Sequence, residues 1–365
     1  MVKLKFMKPF QTSHDPLLDG VRGLAILAVI IFHSSLIPVQ SFADKIVHGA
    51  ALAGWAGVDL FFVLSGFLIT RILIQTKESS NFFLNFYMRR ILRIFPLYYL
   101  FLILVFYVFS QSVSFEFTYW TFLSNILIGR LGHFQSPALD ITWSLAVEEQ
   151  FYLLWPFLVW SFKKEQLAKA TLILFLISLA SRLGLFFSGA SPLKNYVLLV
   201  CRMDSLCAGA WLACRLDSLK PDFWKKKFYF LLGIVGCIFA WDVSLDSPLM
   251  RTVGFSANAL LAAALIGSLC NREIPILNSF FGSRFFQTCG KYSFGMYLFH
   301  VPVVHWLFSQ LDWGRGGLAQ MLFHCASVLA TLLVAVIFYH GYEKHFLKLK
   351  KYFEVRPELV SSLPT

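Results

Sequence analysis

Apolar residues dominate the chain in long runs that are separated by short polar stretches. A run of about 20 apolar residues can cross the ~30 Å hydrocarbon core of a bilayer as an α-helix. Ten runs of about 16 to 24 residues have this character. They cover residues 17–37, 52–75, 91–110, 145–162, 170–188, 195–214, 228–243, 252–271, 291–309 and 319–341. The pattern therefore predicts an all-α, polytopic membrane protein with about ten transmembrane helices.

Composition favours the same class, because 58% of the residues are hydrophobic and only 14% are charged. We expect one transmembrane domain over residues 1–345 and a short, basic cytoplasmic tail over 346–365. Lys3, Lys5 and Lys8 resemble the start of a signal peptide, but no small-residue cleavage site follows the first apolar run. That run is therefore predicted to be retained as the first span.

The formal net charge of +12 is unevenly distributed among the loops. If the N-terminus is inside, the basic clusters fall on alternate loops, and the positive-inside rule then places both termini in the cytoplasm. The short apolar stretch 119–129 is expected to be interfacial or re-entrant, since counting it as a span would put Lys225 to Lys227 outside. The charge is thus explained by topology, and no nucleic-acid partner is expected. The seven cysteines include no CxxC pair, so neither a disulfide framework nor a metal site is predicted.

The first span carries an arginine near its start and a histidine near its end. Ten residues separate Arg22 from His33. Eleven steps of about 100° place both side chains on one helix face, roughly 16 Å apart along the axis. Ionisable groups at membrane depth are costly, which makes this pair a functional candidate.

The other polar residues of the spans fall into two groups by predicted depth. The outer group has His33 with Asp59, Glu148, Arg182, Arg202 and Asp204, and His300 lies near the middle of its span. The inner group contains Arg22, Arg90 and Arg93, whose guanidinium groups suit phosphate recognition. Ser144, Glu148 and Tyr152 follow one another at intervals of four and share a helix face.

Each candidate also has a structural interpretation. Arg22 can form a salt bridge with Asp19 at the helix end, and Arg202 and Asp204 can form an ion pair between spans. Polar residues within spans also mark transport pathways, so a transporter or flippase for a lipid-linked sugar is the rival class. No inverted repeat or pair of matched broken helices favours transport.

Six segments, taken in order, resemble the acyltransferase-3 family of integral-membrane bacterial O-acyltransferases. They are the Arg-x10-His pair, GVDLFFVLSGFLIT, RRILRIFPLYY, WSLAVEEQFYLLWP, CRMDSLCAGAWLA and YSFGMYLFHVPV, and together they extend from about residue 15 to about 342. By position, the family's motifs correspond to Arg22 with His33, Arg90 with Arg93, and Ser144 with Glu148. The resemblance is to the stand-alone type without a fused SGNH hydrolase domain.

The resemblance implies a donor and an acceptor but no permanently bound cofactor. The donor would be an acyl-CoA, usually acetyl-CoA, bound by Arg22, Arg90 and Arg93. The acceptor would be a sugar hydroxyl of a glycan or lipid-linked glycan, such as O-antigen of lipopolysaccharide or an exopolysaccharide. The enzyme would work in the bacterial cytoplasmic (inner) membrane. Another acyl group, such as succinyl, stays open.

A chemical role can be assigned to the candidates under this hypothesis. His33 would act as a base or as a transient acyl carrier, and Glu148 or Asp59 would orient its ring. Ser144, Tyr152, Arg182, Arg202, Asp204 and His300 would bind substrate or serve the structure.

Overall fold

A computed structural model describes residues 15–38, 41–242 and 244–354 of the chain. Every element of regular secondary structure within these ranges is helical. Lys3, Lys5 and Lys8 lie outside the described residues, as does the part of the predicted tail from residue 355 onward.

Eighteen α-helices are present among the described residues. The first nine are α1 Pro16–His33, α2 Phe42–Leu52, α3 Gly57–Thr76, α4 Phe82–Ile103, α5 Phe117–Trp120, α6 Ser124–Leu131, α7 Pro137–Asp140, α8 Thr142–Ser161 and α9 Lys164–Phe187. The others are α10 Pro192–Val197, α11 Leu199–Arg215, α12 Pro221–Trp241, α13 Phe255–Cys270, α14 Pro275–Phe281, α15 Arg284–Lys291, α16 Ser293–Gln310, α17 Gly317–Phe338 and α18 Lys344–Leu349. Short 3-10 or π-helical turns extend several of them, at Ala53–Ala56, Leu104–Val108, Met250–Gly254, Tyr339–Glu343 and Lys350–Phe353.

Seven helical segments within the described ranges are long and apolar enough to cross a membrane, which confirms a multi-pass membrane protein. They are Pro16–His33, His48–Thr76, Phe82–Val108, Lys164–Phe187, Pro192–Arg215, Met250–Cys270 and Gly317–Phe353. The other three predicted spans coincide with α8, α12 and α16, which are helical but not among the seven. The count of ten spans and the cytoplasmic location of the termini stay predictions.

The stretch predicted to be interfacial or re-entrant, 119–129, is broken into α5 and α6. The longer of the two, α6, has eight residues and extends only about 12 Å. Neither helix alone spans a bilayer.

Helix α1 occupies the centre of the fold. Its start is set by Asp15, whose side chain accepts a hydrogen bond from the Leu17 N–H at 3.0 Å, and by Pro16 at the first helical position. It packs against α3, α15 and α16. The contact with α15 is made by backbone, because a Cβ atom at Gly23 would overlap the carbonyl of Phe286, and one at Gly290 would overlap the carbonyl of Asp19.

The helices differ in how much of their apolar surface is covered. In the most apolar stretch of α9 only 17% of the residues are buried, against 72% in the span that contains α11. Helix α9 is therefore peripheral and presents apolar side chains outward, where lipid would cover them, whereas α11 is central and packs on α3 and α9.

The first residues of the predicted tail belong to the folded body. Helix α18 and the turn Lys350–Phe353 both pack against α4. Residues up to Glu354 are described.

Candidate active site

A cavity of about 250 Å³ lies among α1, α3, α4, α8 and α16, with the turn after α18 at its edge. Its walls are mixed, with apolar side chains of α3 such as Phe62 and Ile69 and a set of polar groups. The polar side chains that line it are Arg22, Ser65, Arg90, Arg93, Ser144, Glu148, Tyr152, Ser293, Tyr297 and Lys350. The arginines expected to bind CoA thus share one cavity with Ser144, Glu148 and Tyr152.

Four cations line this cavity. Arg22 donates to Asp19 at 2.6 Å, which is the predicted helix-end salt bridge. Arg90 and Arg93 lie three apart on α4, and the Arg90 guanidinium sits 5.5 Å from the centre of the Tyr152 ring. Within residues 15–38, 41–242 and 244–354, neither of these two arginines nor Lys350 forms an ion pair. Three basic side chains without a direct ion-pair partner in one cavity suit the binding of a multiply charged anion.

Glu148 is the one carboxylate among the lining residues described. It lies within hydrogen-bonding reach of Ser65 and Tyr152, whose hydroxyl groups also contact each other. Its charge acts on Arg90. One end of the cavity therefore has a carboxylate with two hydroxyls, close to the arginines of α4.

The Ser144 hydroxyl lies 2.5 Å from the Tyr297 hydroxyl, and the latter donates to the backbone oxygen of Ile141 at 3.1 Å. The Tyr297 ring is 5.5 Å from the ring of His300, centre to centre. His300 in turn contacts His33. A polar path thus leads from the cavity wall to His33, which does not itself line the cavity.

The hydrogen bonds of the two histidines define their tautomers. The Nδ1 atom of His300 lies 2.6 Å from the backbone oxygen of Tyr297, and the Nδ1 atom of His33 lies 3.0 Å from that of Val29. A carbonyl oxygen only accepts, so each Nδ1 carries a hydrogen in a neutral ring. His300 Nε2 then has a lone pair directed at His33 Nδ1, 3.2 Å away. The remaining ring nitrogen of His33, Nε2, is left unprotonated, as a base requires.

The predicted contact of His33 with Asp59 or Glu148 is wrong. Asp59 forms an ion pair with Arg202 and accepts from Ser205, and Glu148 lies among the arginine side chains of the cavity. The depth estimate failed because it counts residues from a helix end and ignores side-chain direction and length. An arginine side chain reaches several Å along the bundle axis, so Arg90 and Glu148 meet although their predicted depths differ.

Arg182, Arg202 and Asp204 lie in a separate buried network with Asp59. Arg182 pairs with Asp204 at 2.8 Å, and Arg202 pairs with Asp59, so both residues of α11 form the ion pairs between spans that their structural interpretation expected. All four side chains are at most 1% exposed. The Arg202 guanidinium also sits 4.2 Å from the centre of the Phe255 ring. This network joins α3, α9, α11 and α13, and none of its four ionic side chains lines the cavity.

Ser34, which follows His33 in the sequence, contacts a third histidine, His324. The Gln320 side chain accepts from the Ile37 N–H at 3.0 Å and donates to the Ser34 carbonyl at 2.8 Å, which defines its orientation. Its NH2 group therefore donates to His324 Nε2 at 3.0 Å, and His324 Nδ1 donates to the Ser34 hydroxyl at 2.7 Å. Because His324 donates a hydrogen bond to this oxygen, it does not act as a base toward Ser34. The cluster therefore holds the end of α1 and does not activate a nucleophile.

Ser65, Tyr297 and Lys350 were not predicted as site residues. The first two lie inside segments that carry the family resemblance, so a closer inspection of those segments could have found them. Lys350 stands among similar lysines, and no pattern distinguishes it.

The structure is that of a helical membrane protein with a cationic cavity beside a serine and a glutamate, and with a pair of histidines nearby. This arrangement agrees with the class of protein that the sequence motifs indicate. The family model described as "Acyltransferase domain" matches residues 15–340, and the chain belongs to this acyltransferase-3 family. No solved structure matches the chain.

Curated relatives are longer proteins. Peptidoglycan O-acetyltransferase OatA of Listeria monocytogenes is 29% identical over 81% of this chain and 50% of its own length. Putative peptidoglycan O-acetyltransferase YrhL of Bacillus subtilis is 30% identical over 92% of this chain and 55% of its own length. O-acetyltransferase OatA of Staphylococcus aureus is 28% identical over 92% of this chain and 58% of its own length. The chain thus spans about half the length of these relatives.

Proposed function

We propose that this protein is a membrane O-acetyltransferase that moves an acetyl group from acetyl-CoA to a hydroxyl of a bacterial surface or cell-wall glycan. The observation that carries the proposal is the cavity, in which a group of basic side chains lies next to Ser144, Glu148 and Tyr152. Family membership and the names of the relatives support the reaction type.

The donor would be held by charge at one end and by apolar contacts along its arm. CoA carries a diphosphate and a further phosphate, which Arg22, Arg90 and Arg93 would bind from the cavity wall. The pantetheine arm would follow the apolar side chains of α3 and bring the thioester toward Ser144 and Tyr297. The Tyr297 hydroxyl donates to the Ile141 carbonyl, so the Ser144 hydroxyl would turn its hydrogen from this pair to the thioester carbonyl oxygen as that oxygen gains charge.

His33 would serve as the base. Its Nε2 takes the proton of the acceptor hydroxyl, whose oxygen attacks the thioester carbonyl carbon. The C–S bond breaks, the new ester C–O bond is complete, and the CoA thiolate leaves with the proton returned by His33. His300 holds the His33 ring in the required tautomer.

The acceptor is proposed at the level of chemical class. The relatives are named for peptidoglycan, and the motifs are equally compatible with O-antigen or exopolysaccharide. We place the enzyme in the bacterial cytoplasmic membrane, with a glycan or lipid-linked glycan presented at the side of His33. Mass spectrometry of the cell's glycans, with and without the gene, would identify the polymer by the loss of one acetyl mass per modified sugar.

The decisive experiment uses the purified full chain in lipid nanodiscs with acetyl-CoA and glycan fragments, and follows thiol release and ester formation. The His33→Gln variant is expected to lose about 10²-fold or more of the rate. The matched control is His133→Gln, an exposed histidine between α6 and α7 that lies outside the cavity lining. A wild-type protein that releases no CoA in the presence of any glycan acceptor would favour the transporter class instead.

The two roles considered for His33 give different results when no acceptor is added. An acyl carrier would retain a labelled acetyl group on the protein, and this label would be absent from His33→Gln. A base leaves the protein unlabelled. We expect no label on the wild-type protein.

A further inference from the structure

Lys350 lines the cavity although it lies beyond residues 15–340, which match the family model. The match ends at residue 340, and Lys350 begins the 3-10 turn after α18. Both α18 and this turn pack against α4, the helix that carries Arg90 and Arg93. The segment thereby delivers one lysine to the cavity wall.

The orientation of Lys350 differs from that of the neighbouring lysines. Lys348 and Lys351 are exposed, whereas Lys350 is partly buried and lines the cavity. Lys348 and Lys351 therefore serve as matched controls, since they carry the same side chain as Lys350 but do not line the cavity.

The charged surroundings of Lys350 are mostly of its own sign. Arg89, Arg90 and Arg93 repel its ammonium group, and Glu343 is the opposing carboxylate. Glu343 also acts on Arg93, so this single carboxylate is shared between two cations. An anion with several charges between these basic side chains would be attracted by all of them.

We propose that Lys350 binds a phosphate group of the acyl-CoA donor together with Arg90 and Arg93. The inference rests on the proposed function, because it requires a CoA thioester in the cavity. A lysine suits this position, since its compact point charge can address a phosphate oxygen that the planar arginine forks leave open. Lys350 would then distinguish acetyl-CoA from acetyl donors that lack phosphates.

Two donors and two variants test the assignment. The donors are acetyl-CoA and S-acetyl-pantetheine, which has the same thioester arm but no phosphate. The variants are Lys350→Met and Lys351→Met in the full chain in nanodiscs, with kcat and KM measured by thiol release. We expect Lys350→Met to raise the KM for acetyl-CoA about tenfold or more, as the loss of a charge-assisted contact does, with kcat unchanged.

The phosphate-free donor isolates the phosphate contact from a general effect on the fold. Lys350→Met should leave the KM for S-acetyl-pantetheine unchanged, Lys350→Arg should retain most of the affinity for acetyl-CoA, and Lys351→Met should match the wild type with both donors. In the wild type, salt should raise the KM for acetyl-CoA, with a weaker dependence in Lys350→Met. If Lys350→Met does not fold, Lys350→Gln replaces it in the same comparison.

Three results would overturn the inference. These are equal KM values for acetyl-CoA in Lys350→Met and Lys351→Met, an equal rise for both donors, or an unchanged salt dependence. Each leaves the proposed function intact as long as the wild type releases CoA. A wild type that releases no CoA is a failure of the proposed function itself.

Discussion

The Nε2 atom of His300 lies 3.2 Å from the Nδ1 atom of His33, so α1 and α16 are joined by a hydrogen bond between two neutral imidazoles. In many histidine bases a carboxylate occupies the position that His300 takes here. A neutral partner fixes the tautomer of His33 without adding a charge to the bundle.

We expect glutamine to replace His300 better than leucine does. The side-chain oxygen of glutamine can accept from His33 Nδ1, whereas leucine leaves this nitrogen with the Val29 carbonyl alone and holds the ring less firmly. His300→Leu should lower kcat about 10²-fold, and His300→Gln should retain part of the rate. The KM for acetyl-CoA should stay constant, because His300 does not line the cavity. Leucine and glutamine variants of equal kcat would contradict the positioning role.

Asp59 is expected to stabilise the fold and to take no part in the chemistry, because its carboxylate forms an ion pair with Arg202. Asp59→Leu leaves a buried guanidinium without its counter-ion and should destabilise the protein by roughly 3 to 5 kcal/mol. The double variant Asp59→Leu/Arg202→Met should recover much of the thermal stability in detergent, and with it the activity. A double variant that folds but is inactive would return Asp59 to the list of catalytic candidates.

The close approach of α3 and α11 should make Gly66 intolerant of alanine. A Cβ atom at Gly66 would overlap the backbone carbonyl of Leu206, and backbone cannot yield without separating the helices. We expect Gly66→Ala to cost about 1 to 3 kcal/mol of unfolding free energy. The control is Gly233→Ala on α12, where no atom lies within 4 Å of the added methyl group, and where alanine should be neutral or stabilising. Equal melting temperatures for the two variants would contradict the packing of α3 on α11.

Asp140, which lies on α7 outside the seven candidate spans, should make stability depend on pH. Burial raises the pKa of its carboxyl group to about 6, although it accepts from the Gln135 N–H at 3.0 Å. The folded protein therefore favours the protonated form, and this contribution is full below the unfolded pKa and is lost as pH rises through about 6. We expect unfolding free energy to fall by at most about 3 kcal/mol over that range. Asp140→Asn should flatten the curve of melting temperature against pH, and an unchanged curve would contradict the assignment.

The helices were more predictable than the contacts between them. Hydrophobic runs placed α1, α9 and α17 to within several residues, because each helix satisfies its own backbone hydrogen bonds and its length is dictated by the bilayer. The spacing of Ser144 and Glu148 likewise indicated a shared face, and both line one cavity.

The contacts between helices were harder to predict, because the periodicity of one helix does not show which other helix its apolar face packs against. His33 was paired with a carboxylate on chemical grounds, yet its partner comes from α16, more than two hundred residues later. Lys350 could not be distinguished from Lys348 and Lys351 until α18 was seen to turn it toward α4.

The close contact of α1 with α15 has a consequence for biosynthesis. Helix α1 leaves the ribosome well before its neighbour α15, because the backbone of Gly290 that packs against it is made about 270 residues later. Arg22 and Lys350 likewise line one cavity although they lie far apart in the sequence. A nascent or truncated protein that lacks residue 350 therefore has no complete cavity.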